Sequence, residues 1–474
     1  MSKSITPQNV AEQNISQNKM GTAPMSRLLL KMGTPMIISM VIQAFYNIVD
    51  SYFISNMTSD QISNIGDYAI NALTLAFPVQ VLIIALSVGT GVGANALLSA
   101  LLGAGKHEQA NKVAGNAIFT SLCTYILFLL FGLFGVRQFL QTQTSNELII
   151  ELGTTYLSIC TIFSFGTIIA MIYEKLLQST GKTTLSTIAQ LAGALTNIIL
   201  DPILIFGCFG FPALGIAGAA YATIAGQILT LILDAWFHYA WNHEINGSLR
   251  YLKPCAQTII NIYRVGAPAI LMQVLMSVMS YGINIIFGFV CEAAVTAFGI
   301  YYKIQQFVFF AAFGMNNAVI PVVAFNYGKG DLKRITQGLK YGMTYTLILM
   351  FTGAVFLQLF AAPICSMFAL SPEAMTLCIR AIHIVTLGYL FAGANIIFQG
   401  VFQALGCGIK SLILSLIRLI IVPLPLTWIL TQLPQSQTFI WTAFPAAEAI
   451  DLVVAVIFIR NVFNHRLSGL KNHA

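Results

Sequence analysis

Charge is what this sequence has least of. Asp, Glu, Lys and Arg make up 8% of its 474 residues, against 57% hydrophobic residues and a mean hydropathy of +0.81. Soluble domains carry about a quarter charged residues, so a water-soluble globular chain is excluded and an integral membrane protein is indicated. Cysteine patterning is missing as well. The eight cysteines are scattered, mostly inside apolar runs, without a CxxC or a Cys/His spacing, which leaves no basis for a disulfide framework or a zinc site. No HExxH, GxSxG or phosphate-loop motif is present, and no large polar segment is left for a soluble domain. An enzyme and a bound cofactor are therefore not expected. Residues 1–26 are polar, rich in Gln, Asn and Ser, and lack the apolar core of a signal peptide; they read as a disordered N-terminal arm.

What the chain does have is apolar length. Runs of about 20 apolar residues, one bilayer crossing each, fall at roughly 32–54, 69–101, 113–135, 149–172, 184–206 and 215–241, and again at roughly 265–290, 293–325, 341–361, 376–402, 411–431 and 438–459. The expectation is an all-α polytopic membrane protein with twelve transmembrane helices. Lys and Arg set its orientation. With the N-terminus inside, 19 of the 23 basic residues fall in cytoplasmic segments, Lys175 and Lys182 among them; only Arg137 is outside, and Lys303, Arg380 and Arg418 lie within spans. Both termini are expected in the cytoplasm, with the chain in the plasma (prokaryotic inner) membrane. The net charge of +7 belongs to this bias and is no sign of nucleic-acid binding.

The chain also repeats itself. Gly89, Gly103-Ala104-Gly105 and Gln178-Ser179-Thr180-Gly181 recur 225 residues later as Gly314, Gly328-Lys329-Gly330 and Gln403-Ala404-Leu405-Gly406. Gly33-Thr34-Pro35 and Gly266-Ala267-Pro268 correspond at 233. Six spans return a chain to its starting side, so the halves are parallel repeats related by an axis along the membrane normal, with sites near mid-membrane in or between them. The expected organisation is an N-lobe over 27–241, a loop over 242–258, a C-lobe over 259–462 and a tail over 463–474, with the lobes around a central cavity.

Against so little charge, two aspartates stand out. Asp50 ends a run without charge after Lys31, and Asp201 one without charge after Lys182. An ionisable group in hydrocarbon costs a few kcal/mol even on lenient scales and usually marks an ion or substrate pathway. Each lies 17 or 18 residues into its span, which at about 1.5 Å per residue gives both a similar depth. Asn197 sits one turn before Asp201 on nearly the same face, and Thr223 is at comparable depth in the next span. Two carboxylates, an amide and a hydroxyl can cage Na⁺, and the carboxyls could equally share protons. The bland alternatives are a helix break at Asp201-Pro202, an Asp50 that snorkels to the outer surface, and packing roles for Asn197 and Thr223. Half two holds Lys303, Arg418, Glu448 and Asp451, two of each sign; they either brace the bundle as internal pairs or handle substrate or protons. Asp234 with His238, and Arg380 with His383, are expected at the membrane interfaces. Pro35 removes a backbone hydrogen bond and permits a kink in the first span.

At these residues the chain resembles the multidrug and toxic compound extrusion transporters, nearest the prokaryotic DinF-like and MepA-like branch. The resemblance runs over about residues 27–460 and is carried by Gly33-Thr34-Pro35, Tyr46-Asn47-Ile48-Val49-Asp50, Gly103-Ala104-Gly105, Leu177 to Gly181, Asn197 to Pro202, Gly218 to Thr223 and Asn326-Tyr327-Gly328. It implies export of small cationic amphipathic compounds in exchange for H⁺ or Na⁺. By resemblance Asp50, Asn197, Asp201 and Thr223 form the coupling-cation site, Gln43, Tyr46 and Asn47 face the substrate, and Pro35 is the bend of the first helix. A carboxylate used by one branch on the seventh span is missing here, where Gln273 is the only large polar side chain between Pro268 and Asn284. Lys303 is what this branch leads one to expect. The rival reading is a lipid-linked oligosaccharide flippase of the same superfamily, which would need a basic cavity. Membrane lipid is an expected partner, and nothing demands an oligomer, so a monomer is expected.

Overall fold

The computed structural model describes residues 18–55, 57, 65–368 and 370–468. Backbone N–H and C=O groups in hydrocarbon must be satisfied within the chain, which leaves the helix as the form for runs this apolar. Among the described residues there are helices and turns and no strand. In chain order the helices are α1 Lys19–Thr22, α2 Met25–Ser55, α3 Ile65–Gly103, α4 His107–Phe134, α5 Val136–Gln141, α6 Glu147–Ile162, α7 Phe165–Ser179, α8 Thr183–Phe206 and α9 Ile216–Trp241. They continue with α10 Ala256–Gly288, α11 Glu292–Lys329, α12 Leu332–Ser366, α13 Pro372–Val385, α14 Tyr389–Ala404, α15 Gly408–Leu416, α16 Pro423–Thr431, α17 Ser436–Phe439 and α18 Ala443–His465. Among the described residues eleven stretches are long and apolar enough to cross a membrane, and α6 with α7, bent by 41°, makes a twelfth. The twelve spans expected from apolar length are present.

The repeat has a structural cause at its turns. Gly105 and Gly330 close the turns after α3 and α11 with φ of 73° and 82°, and Gly181 and Gly406 close those after α7 and α14 with φ of 81° and 69°. An L-residue in this left-handed region is strained, whereas glycine is not. Each turn is locked by the same long-range backbone bond: Lys106, Asp331, Lys182 and Cys407 donate to Leu101, Asn326, Leu177 and Phe402 at 2.9, 3.0, 2.9 and 2.7 Å. This is the Schellman closure of a helix end, made four times at matching places. The bend at Phe163–Ser164 between α6 and α7 has its counterpart in the 3-10 turn Thr386–Gly388.

The chain condenses into two compact units. Of the described residues, those within Met1–Met40, Ser99–Lys106 and Ala267–Ala474 form one, and those within Val41–Leu98 and His107–Gly266 form the other. These differ from the expected division at 242–258, because each unit takes the start of the other half's first helix. In the first unit a Cβ on Gly314 would lie 2.6 Å from Ile37 Cα, and one on Gly103 would lie 1.9 Å from Phe325 O. In the second, a Cβ on Gly93 would lie 2.2 Å from Ile262 O. Hydrophobic periodicity does not reveal such backbone-to-backbone contacts. The first unit's core gathers Phe287, Phe298, Tyr301 and Trp441, with Phe287 and Trp441 edge to face at 4.8 Å. The second's gathers Leu140, Leu157, Ala219 and Ala220.

The N-terminal arm needs a correction. Its first 17 residues lie outside the described ones, but Lys19–Thr22 is a helical turn capped by Asn18. Arg334 donates to Met20 O and Ala23 O at 2.9 Å each, and Asn326 donates to Met20 O at 3.0 Å. Met20 is fully buried.

Candidate functional site

Polar residues of the second unit meet at a close approach of α8 and α9. Gly193 and Gly226 face each other: a Cβ on Gly226 would stand 2.5 Å from Gly193 O and 3.3 Å from Asn197 Cβ. That approach lets Asn197 span both helices. Its Nδ2 donates to Asp201 Oδ1 at 3.3 Å and to Thr223 Oγ1 at 3.3 Å. Asp201 is 0% exposed, Asn197 2% and Thr223 8%, so all three turn inward, as the shared face of positions 197 and 201 requires.

The hydrogen-bond inventory leaves acceptors in excess. Asn197 Oδ1, Asp201 Oδ2 and Asp50 Oδ1 are buried and receive no donor among the described residues. The field of Asp50 reaches Asp201, and the fields of both reach the Tyr46 hydroxyl, one turn before Asp50. Tyr156, which accepts from Gln80 Nε2 at 3.1 Å, and Cys160 also lie within the field of Asp50. Among the described residues no Lys, Arg or His pairs with either aspartate. Buried polar atoms are nearly always satisfied, and hard oxygen ligands select hard cations or protons. The arrangement is chemically suited to hold one. Of the expected substrate-facing residues, Tyr46 is half-buried near the site and Gln43 is exposed; the Asn47 side chain lies outside the described residues. Pro35 stands inside α2, which runs through it as helix.

A second polar cluster of this unit was not anticipated. Lys175 Nζ bonds Glu174 Oε1 at 3.0 Å and Gln178 Oε1 at 2.9 Å, while Gln178 Nε2 donates to Glu174 Oε1 at 2.6 Å. Lys175, counted among the cytoplasmic-side basic residues, is buried within α7, its stem over Gly91, where a Cβ would lie 2.8 Å from Lys175 Cγ. Asp234 and His238, expected at an interface, are buried at 0% and 2% exposure. Glu174 and Lys175 act electrostatically on Asp234, whose two oxygens receive no donor, and His238 Nδ1 lies 3.2 Å from Asn242 Nδ2. A signal was present: 234, 238 and 242 fall on one helix face, and so do 174 and 178. A polar stripe on an apolar helix faces protein.

In the other unit Arg418 Nη2 and Glu448 Oε1 pair at 2.7 Å, both nearly buried. Asn395 Nδ2 donates to the second oxygen of Glu448 at 2.8 Å, and Asp451 is 0% exposed. Lys303 does not join them. It is exposed on α11 and makes no ion pair among the described residues, because its side of the helix turns away from buried Tyr301 and Ile304. Arg380 and His383 are exposed, bonded to Thr438 and Gln358. All eight cysteines are free, Cys365 Sγ lying 3.3 Å from Cys378 Sγ.

Comparison with known proteins matches the MatE family model to residues 35–203 and 268–429. An FAD transporter of Shewanella oneidensis is 26% identical over 408 residues, covering 85% of this chain and 88% of that protein. The multidrug export protein MepA of Staphylococcus saprophyticus is 23% identical over 432 residues, covering 91% and 92%. A solved outward-facing multidrug resistance MATE transporter of the MOP superfamily superposes with a TM-score of 0.88 at 23% identity, covering 96% of this chain and 98% of the other. A MOP superfamily transporter from Pyrococcus furiosus, described as having a binding pocket of reverse polarity, gives 0.85 at 23%, covering 96% and 98%. At that identity the structural likeness speaks for the fold.

Proposed function

Because the chain belongs to the MatE family of membrane transporters, we propose that it is a secondary-active exporter of small cationic amphipathic compounds, driven by entry of H⁺ or Na⁺, with Asp50, Asn197, Asp201 and Thr223 as the coupling-ion site. One observation carries the reading: a buried Asp201 and a half-buried Asp50, each with a buried carboxyl oxygen that receives no donor, and no basic partner for either among the described residues. A cation bound there removes the charge imbalance. In its absence the ionised pair attracts a cationic substrate to the wall formed by Gln43 and Tyr46. Ion and substrate then compete for one negative charge, and such competition is the minimal requirement for exchange. Asn197 holds the geometry, since its amide fixes Asp201 and Thr223 while its carbonyl oxygen stays available. Pro35, ten residues into α2, gives that helix a place to bend. Both termini are cytoplasmic in this reading, and the chain acts as a monomer.

The experiment is export by the purified protein in liposomes. Asp50→Asn and Asp201→Asn variants, folded and inserted at normal levels, should lose extrusion of ethidium against its gradient. Retention of the wild-type rate by both would sink the reading. The FAD transporter relative at 26% identity motivates a second reading, export of a flavin nucleotide. FAD carries two phosphates, and an acidic site repels them. Competition between FAD and ethidium for uptake into inverted vesicles separates the two, and a pyrophosphate lipid in the same assay tests the flippase alternative.

A further inference from the structure

We propose that Asp451 is a second proton-binding carboxyl, and that Arg418 is shared between Glu448 and Asp451 according to whether the proton is present. The proposal rests on the export reading only for the use to which the proton is put.

Asp451, on α18, is 0% exposed, and among the described residues neither of its carboxyl oxygens receives a donor. Glu448, one turn earlier, is satisfied. Its Oε1 takes Arg418 Nη2 at 2.7 Å and its Oε2 takes Asn395 Nδ2 at 2.8 Å. Arg418 in turn keeps a buried Nε with no acceptor. A donor without an acceptor and a carboxyl without a donor therefore stand in one buried cluster. Among the elements packed on α18, Arg418 from the π-turn Ile417–Ile421 and Glu448 from α18 itself are the charged groups whose fields reach Asp451. Lys410, farther along, bonds Asn461 Oδ1 at 2.7 Å.

Two carboxylates and one guanidinium sum to one uncompensated negative charge. A buried ion without a partner is strongly penalised by lost hydration, so a positive charge must join the cluster. Na⁺ would sit beside the guanidinium and be repelled by it. A proton forms a covalent O–H and makes Asp451 a neutral donor. Proton loss then leaves a carboxylate toward which the free Nε–H of Arg418 can turn, so that the guanidinium bridges both acids. The π-turn helps this motion, since such turns interrupt the regular ladder and gather at functional positions.

The repeat gives the second, independent observation. Arg418 and Asp451 stand 225 residues beyond Gly193 and Gly226, and Glu448 stands 225 beyond Thr223. In the second unit Gly193 and Gly226 only let two helices touch. At the equivalent contact the first unit carries a guanidinium and a carboxyl. The same helix pair has thus been given a polar site in each unit, with different chemistry.

The test is infrared difference spectroscopy of the intact protein in lipid, following the C=O stretch of protonated carboxyl groups during pH titration. Asp451→Asn should lose one carboxyl's worth of this signal, which the Asp50→Asn/Asp201→Asn protein keeps whether or not it transports. Glu448→Gln provides the second arm, since it removes the competing acid. Arg418 then passes to Asp451, and the signal of Asp451 should disappear although the residue is still present. The proposal is overturned if the signal survives Asp451→Asn, or if Glu448→Gln leaves it unchanged. Should Asp451→Asn not fold, the Glu448→Gln arm decides alone.

Discussion

Asn197 has a single side-chain amide, and both of its bonds are long, at 3.3 Å to Asp201 and to Thr223. Removing the Thr223 hydroxyl leaves the amide with one partner. A hydrogen bond of this kind contributes about 1 kcal/mol net, so Thr223→Val should weaken coupling-ion affinity about fivefold, read as a shift in the half-saturating H⁺ or Na⁺ concentration of transport. Asn197→Leu removes the bridge and an oxygen ligand together, so its loss should exceed that of Thr223→Val. Equal effects from the two would show that Asn197 is not the bridge. At this scale the sequence was informative wherever a charge lacked any explanation, as at Asp50 and Asp201. It was silent on direction. The surroundings of Lys303 and Asp234 were not legible because exposure depends on which helix face meets a neighbour, and a position along an apolar run does not state that.

Helices here are set by apolar length and by glycine. The spans and the four left-handed turns were legible because both signals are local: about 20 apolar residues make one crossing, and a positive φ demands glycine. The close approaches of helix pairs were not, since a glycine in an apolar run looks alike whether it faces lipid or another backbone. Gly226 and Gly288 separate these cases. A methyl on Gly226 would meet Gly193 O at 2.5 Å, whereas nothing lies within 4 Å of one on Gly288. Overpacking typically costs about 1–3 kcal/mol, so Gly226→Ala should lower the melting temperature in detergent and also impair export, because α8 and α9 must separate at Asn197. Gly288→Ala should leave both nearly unchanged. A Gly226→Ala protein with wild-type melting and transport would contradict the helix contact described for this unit.

For the whole molecule, the distribution of 19 of 23 basic residues predicts which side each turn faces. A cysteine placed at Lys471 in a chain otherwise free of cysteine should react with a membrane-impermeant maleimide in inverted vesicles and not in intact cells. Labelling in intact cells would reverse the orientation and with it the direction of transport. The assignment of residues to two compact units was not legible, because it depends on contacts between segments far apart in the chain, such as Ile37 with Gly314 and Gly93 with Ile262.

The central claim is that Asp50 and Asp201 hold the coupling ion. Its most direct measurement is ethidium transport into liposomes against its concentration gradient, driven by an imposed H⁺ or Na⁺ gradient, by wild-type and by Asp50→Asn/Asp201→Asn protein inserted to the same density. If Asp50 and Asp201 hold the ion, at least one of the two gradients drives uphill transport by the wild type and neither does so in the variant. Uphill transport by the variant at the wild-type rate would contradict that claim.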